Sequence, residues 1–388
     1  MSVTAPLGFR AAGVAAGLKQ SGQPDVAVVL NDGPSRSAAA VFTTNRVQAA
    51  PVTWTRQVVT GGRVRAVLLN SGGANACTGP AGFQDTHATA EHLAAAIGTL
   101  SDDVGAGEIA VCSTGLIGER LPMDKLLPGV SAAVAEASRS GGLAAADAIR
   151  TTDTVVKIAF RRVDGYSIGG MAKGAGMLAP GLATMLCVLT TDADLEPAQL
   201  DAALRTATAA TFDRLDTDGC MSTNDTVLLM ASGASGVAPD KTEFTLALTE
   251  VCADLTRQLQ LDAEGANKMI TIEVVGAASE ADAVTAGRAV ARNNLLKCAI
   301  GGEDPNWGRV LSAVGTTEAI FQPDRLNVAI NGVWVCRHGA PGDERAKVDL
   351  KPKDVTITVD LSAGPHSAII LTTDLTTAYV HENSAYST

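Results

Sequence analysis

The sequence predicts a mixed α/β protein, and three observations predict it. Short β-branched apolar runs alternate with segments of helical spacing along the whole chain. Hydrophobic residues make up 46% of the 388 residues and aromatics only 3%, so a core has to be assembled from Ala, Val, Leu and Ile. Glycine and proline punctuate these runs without any internal repeat, low-complexity tract or long linker. A chain of this length buries a large core and accommodates about two or three domains.

Taken in order, strand-length β-branched runs fall at residues 26–30, 64–69, 109–113, 155–160, 184–191, 227–230 and 270–275. Each is too short for a helix of ordinary length and long enough for a strand. Apolar residues at helical spacing mark 88–97, 142–149, 195–212, 244–261 and 280–294. Ser279 followed by Asp282 gives the last of these a capping-box-like start, and Asp194 stands as a candidate N-cap for the third. The last hundred or so residues, from about residue 286, carry strand-like runs at 326–330, 355–359 and 368–371 and read as a smaller α/β unit.

Charge and composition exclude several classes. With 30 basic against 41 acidic residues, the net charge is −11 and no basic cluster offsets it, which disfavours nucleic acid and anionic membrane surfaces as partners. No stretch approaches the roughly twenty apolar residues of a membrane helix. The first residues are small and apolar but lack a cationic leader, and Arg10 interrupts them, so no export signal is expected. Seven cysteines, an odd number without paired spacing, argue against a disulfide framework and a zinc site. Cys112, Cys187 and Cys298 lie in apolar runs and read as small core residues, and a reducing cytoplasm is the expected home.

The stretch Lys173-Gly174-Ala175-Gly176-Met177-Leu178-Ala179-Pro180-Gly181-Leu182-Ala183-Thr184-Met185-Leu186 carries the most chemistry. One reading is a glycine-rich turn that feeds a buried strand. The other is a self-cleavage site: Gly174, Gly176, Gly181 and Ala183 give the backbone freedom to bend, so that the Thr184 hydroxyl reaches the Ala183 carbonyl. A cut between Ala183 and Thr184 joins a hydroxyl nucleophile and a free amine on one residue. That amine titrates near about 7.7–8.0, so a useful fraction is a free base at neutral pH and no histidine is required. The five histidines all lie far from this stretch in sequence. An acyl-transfer site also needs donors aimed at an oxyanion. Thr114-Gly115, after the apolar run 109–113, suits that task, and is equally an ordinary turn at a strand end.

These residues belong to a larger set of blocks: Asn70-Ser71-Gly72-Gly73-Ala74-Asn75-Ala76-Cys77-Thr78-Gly79, Ser113-Thr114-Gly115-Leu116-Ile117-Gly118, Ser222-Thr223-Asn224-Asp225-Thr226, Asp304-Pro305-Asn306-Trp307-Gly308-Arg309 and Glu382-Asn383-Ser384-Ala385-Tyr386. Read with the cleavage stretch, they resemble the ornithine acetyltransferase family, the glutamate N-acetyltransferases of cyclic arginine biosynthesis. The likeness runs from Gly8 to the last residue in the family's order.

The resemblance implies an α-β-β-α fold with two β-sheets sandwiched between helical layers. It also implies two chains cut from one precursor, an α-chain of residues 1–183 and a β-chain of residues 184–388, assembled as an α2β2 tetramer. It makes Thr184 the nucleophile, places the oxyanion pair on Thr114 and Gly115, and maps substrate contacts onto Thr151, Lys173, Thr184, Glu264, Asn383 and Thr388. N-acetylornithine and glutamate are the implied substrates. Acetyl-CoA stays open as a second acetyl donor, and no metal or nucleotide cofactor is called for. On residue chemistry, Lys173 suits a substrate carboxylate and Glu264 an ammonium, although for each taken singly a solvated surface charge is the better expectation. Trp307 in its turn-rich loop reads as a structural anchor, and Ser222-Thr226 as a polar loop or a plain strand start. The wording departs from the family at Arg150 and Asn267, where methionine and threonine are common.

A self-processing aminopeptidase of related architecture is the alternative enzyme reading, disfavoured because such enzymes usually present serine at the new terminus. A nucleotide-binding module on Gly174-Ala175-Gly176 lacks both the Gly-x-x-x-x-Gly-Lys-Ser/Thr pattern and the third glycine of a dinucleotide fingerprint. A non-catalytic interaction protein is the reading if the chain is never cut.

Overall fold

The computed structural model describes residues 2–98, 104–179 and 185–385, which fall into two compact units. The first takes the chain as far as Asp213 together with Cys220–Asp262, and the second takes Arg214–Gly219 and the chain from Ala263 on.

In the first unit, the elements in chain order are β1 (Phe9–Val14), β2 (Val26–Asn31), β3 (Ala38–Phe42), α1 (Ala50–Val59), β4 (Ala66–Ser71), α2 (Gly79–Gly98), β5 (Ile109–Thr114), α3 (Met123–Glu136), α4 (Gly142–Ala148), β6 (Lys157–Val163), β7 (Tyr166–Lys173), β8 (Leu186–Thr191), α5 (Pro197–Ala210), β9 (Thr226–Ala231) and α6 (Lys241–Leu261). One sheet runs β1, β2, β4, β5, with only the β4/β5 pair parallel. The other runs β3, β9, β8, β7, β6, with only β8/β9 parallel. Every residue of β2, β4, β5, β7, β8 and β9 is buried, the mark of sheets covered on both faces.

Period-two alternation sorts the side chains between layers. Val29, Leu69 and Cys112 of the first sheet share a core with Val188, Leu228 and Met171 of the second, so the two sheets pack face to face. Val28, Leu68 and Val111 point the opposite way, onto Leu93 and Ile97 of α2 and Leu126 and Val130 of α3. Helices α5 and α6 cover the outer face of the second sheet. Gly170 of β7 permits that approach, since a Cβ there would stand 2.9 Å from Leu189 and 3.0 Å from Leu255 of α6. The result is the expected α-β-β-α sandwich. Helix α1 lies along the edge strands β5 and β3, and α4 along β1, β6 and β7, so the two helices close opposite sides of the sandwich.

The second unit contains β10 (Met269–Ala277), α7 (Glu280–Ala291), α8 (Asn294–Gly301), α9 (Trp307–Val314), β11 (Asn327–Ile330), β12 (Val333–Arg337), β13 (Ala340–Pro341), β14 (Asp354–Asp360), β15 (His366–Thr373) and α10 (Thr377–Ala385). Its sheet runs β13, β12, β11, β14, β10, β15. Ile272, Val274, Ile357 and Val359 pack on Ala286, Val290, Val310 and Val314 of α7 and α9. Because β10 pairs with both β14 and β15 in this sheet, the unit takes in the chain ahead of α7.

Local signals decide several boundaries. Ser279 Oγ accepts the Asp282 N–H at 3.1 Å and starts α7 as the capping pattern predicts. Asp194 does not cap α5. Its N–H goes to the Val237 carbonyl, and the helix begins after Glu196, whose N–H is held by Gln199 Oε1 at 2.9 Å. Pro197 explains the shift, because its fixed φ and missing N–H suit the first helical position. The predicted helix 280–294 is broken where Asn293 caps α8 by accepting the Leu296 N–H. Cys112 and Cys187 are buried as expected, but Cys298 is exposed, on the side of α8 away from Leu296 and Ile300.

Candidate active site

Two strand ends and two strand starts converge in the first unit. Lys173 closes β7 in register with Leu186, the first residue of β8, and Leu186 is in turn in register with Thr226, the first of β9. From the facing sheet comes the last residue of β5, Thr114. The Lys173 side chain is only 2% exposed, and its Nζ donates to Thr114 Oγ1 at 3.1 Å. A hydroxyl that accepts from an ammonium keeps its own O–H to donate elsewhere. Gly115, at φ 128°, lies so close to the Gly72-Gly73 turn that a Cβ would stand 2.5 Å from Gly73 N, and only glycine fits there.

A buried ionic cluster supports this edge. Asp153, 6% exposed, accepts from Lys157 Nζ at 2.6 Å, from the Gly174 N–H at 2.6 Å and from the Thr151 N–H at 3.0 Å. Burial alone would raise its pKa, but the Lys173 and Lys157 cations and the Gly174 N–H overcome it and hold the carboxyl below the usual range. Lys157 Nζ also reaches Asp262 Oδ2 at 2.5 Å, and the Thr154 backbone N–H donates to the same carboxylate. Arg150, the departure from the family's wording, pairs with Asp147 and donates to the carbonyls of Asp153 and Thr154, which fixes the turn that carries Thr151.

The Ser222-Thr226 segment is both a polar loop and a strand start. Asn224 Nδ2 donates to the Ala74 carbonyl at 2.7 Å and to the Ser113 carbonyl at 2.8 Å, so it ties the glycine turn to the end of β5. Asn70 completes that tie, donating to the Gly73 carbonyl and accepting from Ser113 Oγ at 2.6 Å. Asp225 Oδ1 accepts the Met185 N–H at 3.0 Å.

Of the residues singled out in the sequence, Thr114, Gly115, Thr151 and Lys173 are thus gathered in one neighbourhood. Ala183, Thr184 and Thr388 lie outside the described residues. Glu264 and Asn383 meet within the second unit, where Asn383 Nδ2 donates to Glu264 Oε2 at 2.9 Å. Helix α10 is anchored there by Thr376 Oγ1, which donates to the Gly265 carbonyl at 2.6 Å. Trp307 packs against that unit's apolar core. Sequence reasoning missed Asp153, Lys157 and Asp225 as site residues. The Thr-Thr-Asp wording was the available signal for the first, and nothing local marked the other two as buried. Among the described residues, no group of three His, Cys, Asp or Glu side chains is placed to hold a metal ion, and no helix is long and apolar enough to cross a membrane.

An α-β-β-α body whose strand ends bring together a hydroxyl, a turned glycine and a buried lysine is suited to acyl transfer. Residues 10–388 match the ArgJ family, and the chain belongs to it; it is an acyltransferase of arginine biosynthesis. It is 75% identical over 388 residues to the arginine biosynthesis bifunctional protein ArgJ of Thermobifida fusca, with 100% of both chains covered. Identity to the protein of the same name from Streptomyces coelicolor is 66% over 387 residues, again with 100% of both covered. Among solved structures, an ornithine acetyltransferase from Mycobacterium tuberculosis, crystallised with ornithine, is 62% identical at a TM-score of 0.46, with 48% of this chain and 96% of that chain covered.

Proposed function

We propose that this chain cuts itself between Ala183 and Thr184 and then moves an acetyl group from N-acetylornithine to glutamate by a ping-pong mechanism. The Thr184 hydroxyl attacks the amide carbonyl while the α-amine of the same residue takes the hydroxyl proton. The C–N bond breaks, the proton passes to the leaving nitrogen, and ornithine departs from an acetyl-threonine ester. The amine of glutamate then attacks the ester, and N-acetylglutamate leaves as the hydroxyl recovers its proton.

The observation that carries this reading is the Lys173–Thr114 contact beside the Gly115 turn. It leaves the Thr114 hydroxyl hydrogen and the Gly115 N–H as the two donors proposed for the oxyanion, in a water-poor setting where such donors count most. Thr151, Lys173, Thr184, Glu264, Asn383 and Thr388 are proposed as substrate contacts, with Lys173 suited to a carboxylate and Glu264 to an ammonium. The bifunctional name of the relatives supports acetyl-CoA as a second donor to glutamate, a reaction that CoA release would report. An α2β2 assembly in the cytoplasm completes the proposal.

Intact mass decides the central point. Wild-type protein is expected as two fragments, and the Thr184→Ala variant as one uncut chain. Mixing with N-acetylornithine alone should then add one acetyl group to the fragment that begins at Thr184. Kinetics that demand both substrates bound together would rule the mechanism out.

A further inference from the structure

Strand β3 is an edge of the second sheet, paired on one side only, with β9. The Ser37 carbonyl accepts the Ala231 N–H and the Thr43 N–H donates to the Asp225 carbonyl, so residues 37, 39, 41 and 43 turn their backbone groups toward β9. Those of Ala38, Ala40 and Phe42 point the other way. The Gly62 carbonyl takes the Ala38 N–H, which leaves the N–H and C=O of Ala40 and Phe42 along the open edge. Folded proteins usually cover or blunt such an edge. Here it lies in a groove between α1 and α5, where two adjoining hollows of about 360 and 320 Å³ share Ala40, Phe42, Arg56 and Arg205.

The groove presents cations in an acidic protein. Arg56 stacks its guanidinium on the Phe42 ring, 4.7 Å from the centroid, and pairs with no carboxylate among the described residues. Arg205 pairs with Asp201, which also lines the groove, at 2.9 Å and with both side chains exposed. An exposed pair of this kind is weak, and a phosphate offers the guanidinium two oxygens in its place. One end of the groove is lined by Val59, Gly62 and Pro197, and the other by Thr43, Thr44 and Gln48. Thr43 is bonded to Asp225, next to the Thr226 that starts β9 in register with Leu186, itself in register with Lys173. The groove thus runs along β3 to the end of the sheet at which the candidate site lies.

An extended chain with amides along its length and phosphates at one end fits these features. Open strand-edge groups bind amides as they bind an added strand, and guanidiniums bind phosphate. The pantetheine arm of coenzyme A has two amides in series, a thiol at one end and a pyrophosphate at the other. On the reading above in which acetyl-CoA is the second donor to glutamate, we propose that the β3 groove binds the CoA part of that donor. The phosphates lie at Arg56 and Arg205, the amides on the Ala40 and Phe42 edge, and the thioester toward Thr43. In the net reaction the thioester C–S bond breaks, a C–N bond forms to glutamate, and the proton lost by the amine ends on the CoA sulfur. N-acetylornithine carries no phosphate and no such arm, so the groove serves one of the two donors only.

The test uses the full-length protein and three acetyl donors. Replacing both arginines, Arg56→Gln with Arg205→Gln, is expected to raise the KM for acetyl-CoA, read by CoA release with glutamate, about tenfold to a hundredfold. Turnover with N-acetylornithine should stay at wild type, and S-acetylpantetheine, which has the arm but no phosphate, should serve wild type and this variant equally. Ala40→Pro deletes an edge N–H that β9 does not use, so the ladder is kept. It should raise the KM for acetyl-CoA and for S-acetylpantetheine alike, about twofold to tenfold, again without touching N-acetylornithine. An acetyl-CoA KM unchanged in the arginine variant overturns the assignment, and so does a loss in both variants that N-acetylornithine shares, since these residues would then only support the fold. Wild-type protein that releases no CoA with glutamate removes acetyl-CoA as second donor, and the groove with it, while transfer from N-acetylornithine stands.

Discussion

Gly115 sits where a methyl group has nowhere to go, at a φ of 128° and against the Gly72-Gly73 turn. Gly115→Ala therefore has two separable effects. Forcing a side chain into this region costs about 1–3 kcal/mol, and turning the N–H away removes the donor proposed for the oxyanion, with an expected loss of about 10²–10³ in kcat. Thermal denaturation and acetyl-transfer kinetics on one preparation distinguish them, and an alanine variant of wild-type rate would show that this N–H stabilises nothing. Thr114, Gly115 and Lys173 were legible in the sequence because they stand in recognisable blocks. Asp153 and Asp225 were not, because a carboxylate read from sequence is expected in water, and only the packed strand ends show that these two are not.

Among elements, the Asp153–Lys157–Asp262 cluster joins the turn before β6, β6 itself and the chain just beyond α6, with side chains 0%, 0% and 7% exposed. Removing one member strands the rest, so Lys157→Met is expected to destabilise the fold by about 3–5 kcal/mol, measured by denaturant unfolding. Asp153 has its folded pKa held below the unfolded value, so its contribution is present above the unfolded pKa of 3.8 and is lost as pH falls through the lower folded value. The stability gap between wild type and variant should narrow in acid accordingly. Elements were readable where Val, Ile and Leu dominate, as in β2, β4, β5 and β9. β1, β3 and β7 escaped because Ala and Gly are weak strand formers, and the glycine of β7 that hides it in sequence is what lets α6 approach. α3 escaped because Pro128 interrupts its pattern.

At the scale of the whole molecule, pattern alone led to mixed α/β and stopped there. The pairing of distant strands into two facing sheets is set by long-range burial that no window of residues contains. The order of the second sheet has a consequence of its own. β8 and β9 follow residue 184 in the chain, yet they are flanked by β3 on one side and β7 with β6 on the other, all of which precede it. A cut at 183–184 thus yields two polypeptides woven through this one hydrogen-bonded ladder, neither of which holds all five of its strands. They should travel together through gel filtration in native buffer and separate only in denaturant. Self-cut protein, once unfolded, should regain structure at a rate that depends on concentration, because a fold that began as the private affair of one chain has become an encounter between two. The uncut Thr184→Ala chain should refold at a rate independent of dilution. If the chain is cut at this bond as proposed, maturation is a one-way step: it would arm the threonine and give up the tether by which the sandwich first assembled.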